Sequence, residues 1–395
     1  MKWPFSLWTR GWKDLARFNG LGPKARSIVF YAEDAGSWVH FEGIIRTLTG
    51  DMGWQICYLT SSANDPVLHR QDERITPFYI GFGAARTAMF RTLQADVMVM
   101  TMPDLGTYYI KRSRFPVHYV YVHHSMVSSH MIYRPAAFDD FDTVLCVGPH
   151  HKEEIQAREE LYGLKPKILI EHGYQRLDSI ISAASARSKL LPEPRRADTG
   201  KRVLVAPSWG KNALLEKHGV QLLEVLLAHG YQVTLRPHPM TVKNSPRVIN
   251  ELRRRFGSNS RLSFDTQMAS QQSLHDSDIM ISDWSGAALE YAFGLERPVL
   301  FVDVPRKVNN PEYSSLRRIP VEVKLRSELG AVVSPTALTD VPGYIEELCA
   351  DVDGFQVRVR NLRASRIYNI GSSGTVGGEY IAGVANGERI PGAYA

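Results

Sequence analysis

Long hydrophobic runs are missing from this sequence. No uninterrupted apolar stretch reaches the length of about 18 residues at which a membrane-spanning helix becomes the expected structure. The first residues also lack the apolar core and small-residue cleavage site of a secretory signal. We therefore expect a cytoplasmic protein with no segment that crosses the bilayer.

Cysteine is scarce, and the three cysteines form no C-x-x-C pair. Cys57, Cys146 and Cys349 are far apart and lie in apolar surroundings, which predicts buried thiols in a reducing compartment. The pattern excludes a disulfide framework and a cysteine-based zinc site. No histidine–acid set has zinc spacing, so no metal is expected. A G-x-x-x-x-G-K-[ST] loop is also missing, which argues against ATP hydrolysis of the usual kind.

Basic side chains concentrate at the amino terminus, although the whole chain carries a formal charge of only +6. Residues 1–26 hold six basic side chains and one acid, namely Lys2, Arg10, Lys13, Arg17, Lys24 and Arg26 against Asp14. The rest of the chain is nearly neutral. We therefore expect no nucleic-acid partner, because the charge belongs to one short arm and not to a surface of the body.

The same arm is amphipathic. As a helix starting near Pro4, it would carry Phe5, Trp8, Trp12, Leu15 and Ala16 on one side and Arg10, Lys13 and Arg17 on the other. Tryptophan opposite Lys and Arg is typical of a helix in the headgroup region of an anionic membrane. The pattern predicts a membrane-surface arm over residues 1–24. The alternative is a terminal helix that docks on the body of the protein or on a second subunit.

Short apolar runs alternate with amphipathic stretches from residue 27 onward. The expected strands are 27–32, 54–60, 95–101, 115–122, 142–148 and 167–173 in the first half, and 202–208, 231–237, 261–265, 278–283 and 297–304 in the second. Their continuous apolar character fits strands covered on both faces, and the alternation with helices such as 212–229 predicts parallel sheets. The fold class is therefore α/β, with two doubly wound domains.

The expected domains are an amino-terminal domain over 25–190 and a second domain over 200–350. The polar, proline-bearing segment 184–200 forms the predicted boundary. A carboxyl-terminal extension over 351–395 follows. Its glycine-rich part, 369–395, is expected to be a loop with one short helix around Gly378–Val384 and a loose end.

In the second half, the informative polar residues follow predicted strands, which is where open α/β sheets bind ligands. One strand runs into Arg236-Pro237-His238-Pro239, where prolines frame a cation and an imidazole suited to phosphate. Another runs into Ser282-Asp283-Trp284-Ser285-Gly286 at the start of a helix, whose unpaired backbone amides form an anion site. The alternative for Ser282 and Asp283 is a helix cap. Ser208 and Lys211 follow a third strand and are candidates for phosphate or acceptor.

In the first half, one strand ends at His123-His124-Ser125-Met126, and a neutral imidazole there suits a general base. Arg176 and Asp178, in His172-Gly173-Tyr174-Gln175-Arg176-Leu177-Asp178, follow the sixth strand. Gly81-Phe82-Gly83 has no clear strand before it and is interpreted as a turn.

Together these segments resemble the CDP-glycerol glycerophosphotransferase family that polymerises teichoic acids, over roughly residues 115–310. The resemblance rests on HHSM at 123–126, GYQRLD at 173–178, RPHP at 236–239, and SDWSG at 282–286 with Glu290 and RPVLFVD downstream. It implies the GT-B fold, in which two Rossmann-like domains face each other across a cleft. It also implies peripheral attachment to the inner face of the cell membrane and no tightly bound cofactor or metal.

The family's functional residues carry over by position. His124 falls on the catalytic histidine of its H-G-T segment, and His238 on the second essential histidine, which stabilises the donor phosphates. The segment that holds the diphosphate corresponds to Ser282, Asp283, Ser285 and Gly286. Departures are Ser125 and Met126 in place of glycine and threonine, and Gln175 in place of a proline. These departures bear on the identity of the acceptor more than on the identity of the donor.

The function expected from this resemblance is transfer of glycerol phosphate from CDP-glycerol, or from another nucleotide-diphosphate donor, to a polymer or lipid-linked acceptor, with release of CMP. His124 and His238 are the catalytic candidates, with Arg236, Glu290, Ser208 and Lys211 on the donor side. The residues expected on the acceptor side or in a secondary role are His123, Ser125, Arg176 and Asp178. The alternative is a GT-B glycosyltransferase that uses a nucleotide sugar for capsule or surface polysaccharide. An isomerase like the UDP-sugar 2-epimerases and a non-catalytic glycan- or nucleotide-binding protein remain further alternatives.

Overall fold

Two parallel sheets form the framework of the molecule. The computed structural model describes residues 5–103, 105–107, 110–190, 200–266 and 271–388. The first sheet has seven strands in the order β3-β2-β1-β4-β5-β6-β7 and the second has six in the order β10-β9-β8-β11-β12-β13. All recorded pairings are parallel. Each sheet is the core of one lobe, with helices on both faces.

The strands of the first lobe are β1 (Ile28–Ala32), β2 (Ile56–Thr60), β3 (Ile75–Tyr79), β4 (Val97–Met100), β5 (His118–Val122), β6 (Thr143–Cys146) and β7 (Ile168–Glu171). Its helices are α1 (Phe5–Asn19), α2 (Trp38–Arg46), α3 (Ala84–Thr92), α4 (Ser129–Ile132) and α5 (Pro149–Tyr162). The helix α6 (Gln175–Leu190) leaves this lobe and packs on the second. The predicted boundary, residues 184–200, begins inside α6, which ends at Leu190. Residues 191–199 of this boundary lie outside the described residues.

The strands of the second lobe are β8 (Arg202–Val205), β9 (Gln232–Leu235), β10 (Leu262–Phe264), β11 (Ile279–Ser282), β12 (Val299–Val302) and β13 (Gly330–Val333). Its helices are α7 (Leu214–Ala228), α8 (Pro239–Asn244), α9 (Pro246–Phe256), α10 (Gln272–Asp276), α11 (Gly286–Leu295), α12 (Val321–Leu325) and α13 (Val341–Leu348). The chain ends with α14 (Val352–Arg366) and α15 (Ser373–Ala385).

Every strand predicted from an apolar run is present, and two strands that the pattern did not predict are added. Both additions, β3 and β13, lie at sheet edges. Pro77 inside β3 removes a backbone donor, which is tolerated at an edge and hides the strand signal. β3 also corrects the interpretation of Gly81-Phe82-Gly83, because this turn connects a strand to α3.

The amino-terminal helix is docked on the first lobe. Leu15 and Phe18 are buried in the same core cluster as residues of the first sheet, and Asp14 accepts a hydrogen bond from the Tyr79 amide of β3. Trp8 and Trp12 remain 52% and 37% exposed. The predicted apolar side is therefore divided: Leu15 faces the core, whereas the two tryptophans face outward. The helix therefore docks on the body of the protein through one side, as the alternative has it.

The glycine-rich carboxyl terminus contains the short helix expected around Gly378–Val384, and this helix is longer than predicted. The helix α15 runs over thirteen residues and packs on α2 in the first lobe. A side chain at Gly374 would meet the backbone of Gly43 at 2.7 Å, and one at Gly378 would meet Thr47 at the same distance. These glycines permit the two helices to approach at backbone distance, so their abundance reflects packing. The last residues, 389–395, lie outside the described residues.

No helix within the described ranges is both long and apolar enough to cross a membrane.

Candidate active site

His124 lies just beyond β5 and is held in one tautomer. Its Nδ1 lies 3.0 Å from the Thr101 carbonyl oxygen and 3.1 Å from the Tyr121 hydroxyl. Because a carbonyl only accepts, Nδ1 carries the proton and donates it to Thr101. Nε2 is left with its lone pair, and the Tyr133 hydroxyl is 3.5 Å away. A neutral imidazole held in this way can act as a base through Nε2, because the hydrogen bond at Nδ1 fixes the orientation of the ring.

The surroundings of His124 also favour its neutral form. Burial lowers the pKa of this imidazole below its ordinary value, since the charged form loses its hydration. The bond to Thr101 and the nearby Asp34 carboxylate act in the opposite direction. Burial is the largest of these effects, so His124 is unprotonated at neutral pH.

His123, predicted for the acceptor side or a secondary role, is enclosed by the protein. Its side chain is 2% exposed and stacks on His151 with ring centroids 3.7 Å apart. Burial and the neighbouring histidines hold the pKa of His123 well below its usual range. His123 therefore belongs to a buried histidine cluster behind the site.

The start of α11 faces His124 from the second lobe. Ser285 caps this helix, with its hydroxyl accepting from the Ala287 amide, and Gly286 opens the first turn. A β-carbon built on Gly286 would lie 2.6 Å from the Ser125 hydroxyl oxygen of the first lobe. The residue next to His124 thus touches the start of α11, where the helix dipole favours an anion.

Ser282 and Asp283 are buried residues that directly precede the start of α11. Ser282 is fully buried and donates to the Ala206 carbonyl, and Asp283 is 1% exposed. The Asp283 carboxylate accepts from the amides of Ser208, Leu214 and Trp284. Both side chains are enclosed and satisfied by the protein, so they position two loops, which differs from the predicted contact with the donor. Neither residue is the cap of α11, because Ser285 holds that position.

His238 lies at the end of β9 with the opposite tautomer to His124. Its Nδ1 accepts from the Met240 amide at 3.1 Å, so the proton of the neutral ring is on Nε2. Burial and the nearby Lys307 lower its pKa to about 4. His238 is therefore a neutral hydrogen-bond donor near pH 7, a role suited to a phosphate oxygen.

Trp209 and Lys307 extend the His238 surface. The Trp209 ring is stacked on His238 at 6.0 Å, and the Lys307 Nζ lies 3.8 Å from the Trp209 ring centroid. Burial lowers the pKa of Lys307 to about 8, and the carboxylates of Asp283 and Glu216 oppose that shift. The ammonium therefore stays largely charged at neutral pH, at the same strand ends as the α11 amides.

The remaining donor-side cation is already paired. Arg236 is 7% exposed, donates to the Ser273 hydroxyl at 3.0 Å and lies 3.5 Å from an Asp265 carboxylate oxygen. Ser208 is buried and Lys211 is exposed.

Glu290, Arg176 and Tyr174 join the two lobes. Arg176 Nε donates to one Glu290 oxygen at 2.7 Å, and the Tyr174 hydroxyl lies 2.9 Å from the other. The same hydroxyl is 3.0 Å from the His124 carbonyl oxygen. Glu290 and Arg176 thus support the His124 backbone from the second lobe. Asp178, by contrast, accepts from the Gly371 and Ser373 amides and anchors the start of α15 away from the cleft.

Several residues in the cleft were missed at the sequence level. His40 on α2 lies beside His124, with ring centroids 6.2 Å apart, and Thr101 and Lys307 come from other segments. Thr101 and Lys307 follow β4 and β12, so position after a strand could have found them. His40 sits inside a helix, and no local pattern marks it.

Comparison with known proteins relates this geometry to one family and one fold. A family model described as CDP-glycerol:poly(glycerophosphate) glycerophosphotransferase matches residues 83–308, more than half of the 395 residues. Comparison with curated protein sequences finds no significant match.

Three solved structures illustrate the likeness in fold. A variant of the wall teichoic acid polymerase TagF soaked with CDPG matches with a TM-score of 0.59 and 13% identity, covering 96% of this chain and 94% of that one. The UDP-GlcNAc 2-epimerase of Methanocaldococcus jannaschii has a TM-score of 0.54 and 13% identity, with coverages of 90% and 98%. A trehalose 6-phosphate synthase from Burkholderia multivorans has a TM-score of 0.51 and 11% identity, with coverages of 92% and 98%.

Such low identities establish the fold alone, because one fold hosts many chemistries. The two parallel sheets and these neighbours identify the fold as GT-B, as the sequence predicted. The activity follows from the family match, which covers His124, His238 and the start of α11. The chain belongs to the CDP-glycerol:poly(glycerophosphate) glycerophosphotransferase family and is a transferase of glycerol phosphate.

Proposed function

We propose that this protein transfers glycerol phosphate from CDP-glycerol to a hydroxyl group of a cell-envelope polymer or lipid-linked glycan, with His124 as the general base. One observation carries the proposal: an imidazole in the base tautomer faces the amino terminus of α11, with Ser125 touching Gly286 between them. A donor diphosphate at the helix start would therefore lie within reach of an acceptor at His124.

The reaction is a displacement at phosphorus. An acceptor hydroxyl gives its proton to His124 Nε2, and its oxygen forms a bond to the β-phosphorus of CDP-glycerol. The bond between that phosphorus and the bridging oxygen breaks, and CMP leaves with the electron pair. Negative charge on the phosphoryl oxygens is then the main thing to stabilise.

The second lobe offers three kinds of group for that charge. The amino terminus of α11 offers the positive end of the helix dipole, His238 donates through Nε2, and the Lys307 ammonium supplies a full positive charge. Arg236 contributes from a buried position, already balanced by Asp265. We assign direct donor contacts to Ser285, Gly286, His238 and Lys307, and a supporting role to Ser282, Asp283 and Glu290.

We further propose that the enzyme works on the inner face of the cell membrane. The exposed face of α1 presents Trp8 and Trp12, with Lys13 and Arg17 on the same exposed surface. Arg17 also contacts the body through the Pro77 carbonyl and the Phe78 ring, so its stem is held in place. Tryptophan beside Lys and Arg suits an anionic headgroup layer, where a lipid-linked acceptor would be found.

The decisive experiment measures which nucleotide is released. Purified protein is incubated with CDP-glycerol, other CDP-alditols or nucleotide sugars in the presence of a lipid-linked acceptor. The proposal expects CMP from CDP-glycerol, dependent on acceptor, and no nucleoside diphosphate from nucleotide sugars. Release of UDP from a sugar donor, with CDP-glycerol left intact, would instead support the glycosyltransferase alternative.

A further inference from the structure

An unexplained imidazole lies next to the candidate base. His40 on α2 is 9% exposed, and its buried Nδ1 has no hydrogen-bond partner. Its ring meets His124 edge-on at 6.2 Å between centroids and lies tilted against Tyr174 at 5.8 Å. Burying a polar nitrogen without a partner costs stability, and a phenylalanine would fill the same space without that cost.

Three polar groups in contact with His124 are engaged. Thr101 and Tyr121 contact its Nδ1, and Tyr174 contacts both Glu290 and the His124 carbonyl. Within the described residues, the imidazole of His40 makes no recorded hydrogen bond, which leaves it available to something that enters the cleft. Burial, His124 and Arg176 hold the pKa of His40 well below its usual range, so it is neutral and offers one donor and one acceptor.

A hydroxyl group is the ligand that fits these properties. Burial, His124 and Arg176 disfavour the charged form of His40, so the ring can take part in a hydrogen bond without carrying a charge. A hydroxyl can donate to or accept from such a ring. An acceptor whose reacting hydroxyl is at His124 would bring its neighbouring hydroxyl toward the adjacent ring.

We propose that His40 binds a second hydroxyl of the acceptor, so that the His40–His124 pair selects acceptors that end in a vicinal diol. This inference rests on the proposed function, because it uses His124 as the base on the reacting hydroxyl. The chemical class includes the end of a glycerol phosphate chain and a sugar with adjacent free hydroxyls. The paired imidazoles make the first lobe the half that decides which acceptor is used.

The test crosses a protein change with a substrate change. The acceptor probes are sn-glycerol 3-phosphate, which has two adjacent hydroxyls, and 3-hydroxypropyl phosphate, which lacks the middle one. Full-length wild-type protein and the H40F variant are compared with each probe by isothermal titration and by CMP release from CDP-glycerol. H40F keeps a ring against Tyr174 and removes both nitrogens, and H40Q restores a donor and an acceptor.

The wild type is expected to prefer the diol by about 10- to 100-fold, the value of one well-placed hydrogen bond with its partner buried. H40F should bind the two probes within about 3-fold of each other, and H40Q should recover part of the preference. Equal binding of both probes by the wild type would overturn the inference.

A structural role for His40 gives a different result. In that case H40F would lower the melting temperature and reduce acceptor transfer and donor hydrolysis together, with the diol preference unchanged, and the inference would be wrong. Failure of the proposed function looks different again. The wild type would release no CMP from CDP-glycerol, whereas the binding measurements would still decide whether His40 recognises the second hydroxyl.

Discussion

The hydroxyl oxygen of Ser125 and the α-carbon of Gly286 meet across the cleft so closely that a β-carbon on Gly286 would lie 2.6 Å from that oxygen. This contact joins the loop of the candidate base to the helix start that faces the donor. In the family segment that HHSM resembles, glycine occupies the position of Ser125. Each side of the contact can therefore be changed separately.

The substitution G286V should reduce turnover by about 10- to 100-fold, because added methyl groups push the base and the donor site apart, and small misplacements are costly in catalysis. The double variant S125G/G286V should recover part of the loss by removing the opposing hydroxyl. Gly343, also in the first turn of a helix, has no atom within 4 Å of a built β-carbon, so G343V is the matched control. The three variants are compared by their initial rates with CDP-glycerol. A double variant that is no more active than G286V would contradict the assignment.

Replacement of His124 by alanine should lower turnover by at least about 100-fold, the low end of what removal of a general base costs. Binding of CDP-glycerol, measured by titration calorimetry, should change little. H229A changes an exposed histidine of the second lobe and serves as control. Full activity of H124A would remove the base from the proposal.

The pH dependence of kcat/KM should reflect the titration of His124. Because burial lowers the pKa of His124, the acidic fall in kcat/KM should be centred below its ordinary value of 6.5. The Asp34 carboxylate raises that pKa, so D34N should move the fall to still lower pH. An unchanged acidic limb in D34N, or one centred above 6.5, would contradict the assignment of that limb to His124.

His238 is expected to contribute to donor binding through the proton on its Nε2. H238A is expected to weaken CDP-glycerol binding by about 10- to 100-fold, the range for a hydrogen bond to a charged group. H238Q keeps an N–H donor and should lose less. Since the pKa of His238 is lowered to about 4, the dissociation constant should stay flat from pH 8 to about 5.5 as far as this group is concerned. Equal losses in H238A and H238Q would argue against the donor role.

The exposed tryptophans of α1 can be tested without removing the helix. Leu15 and Phe18 are part of the first-lobe core, so deletion of residues 1–24 would expose that core as well as remove the arm. The double variant W8S/W12S should reduce flotation with anionic vesicles and leave the melting temperature nearly unchanged. V352S/V357S changes two exposed apolar residues of α14 and is the control. Identical flotation of both variants and the wild type would reject the membrane proposal.

The Arg176–Glu290 pair should stabilise the joined lobes. Their side chains are 14% and 10% exposed, and R176M leaves the Glu290 carboxylate buried without its cation, which typically costs about 3–5 kcal/mol. R176M/E290Q should recover much of that loss, since it removes the stranded charge. R358M breaks a solvent-exposed pair with Asp351 and should not shift the melting temperature. Chemical denaturation of the four proteins gives the comparison.

The order of strands along the chain could be predicted, because each buried parallel strand corresponds to a local run of apolar residues. The edge strands β3 and β13 could not, since one contains Pro77 and the other is half-covered. The length of α15 was underestimated for a related reason. Whether a glycine marks a loose turn or a close helix contact depends on a partner helix far away in sequence, here α2.

The candidate site divides in the same way. The sequence alone determined that His124, His238 and the Ser285–Gly286 helix start follow strands of two parallel sheets, because strand ends and their polar residues are local signals. Only the tertiary structure decided that His123, Ser282 and Asp283 face inward, and that His40 and Lys307 join the cleft. The direction of a side chain and its distant neighbours are set by how helices and lobes pack, which no single segment encodes.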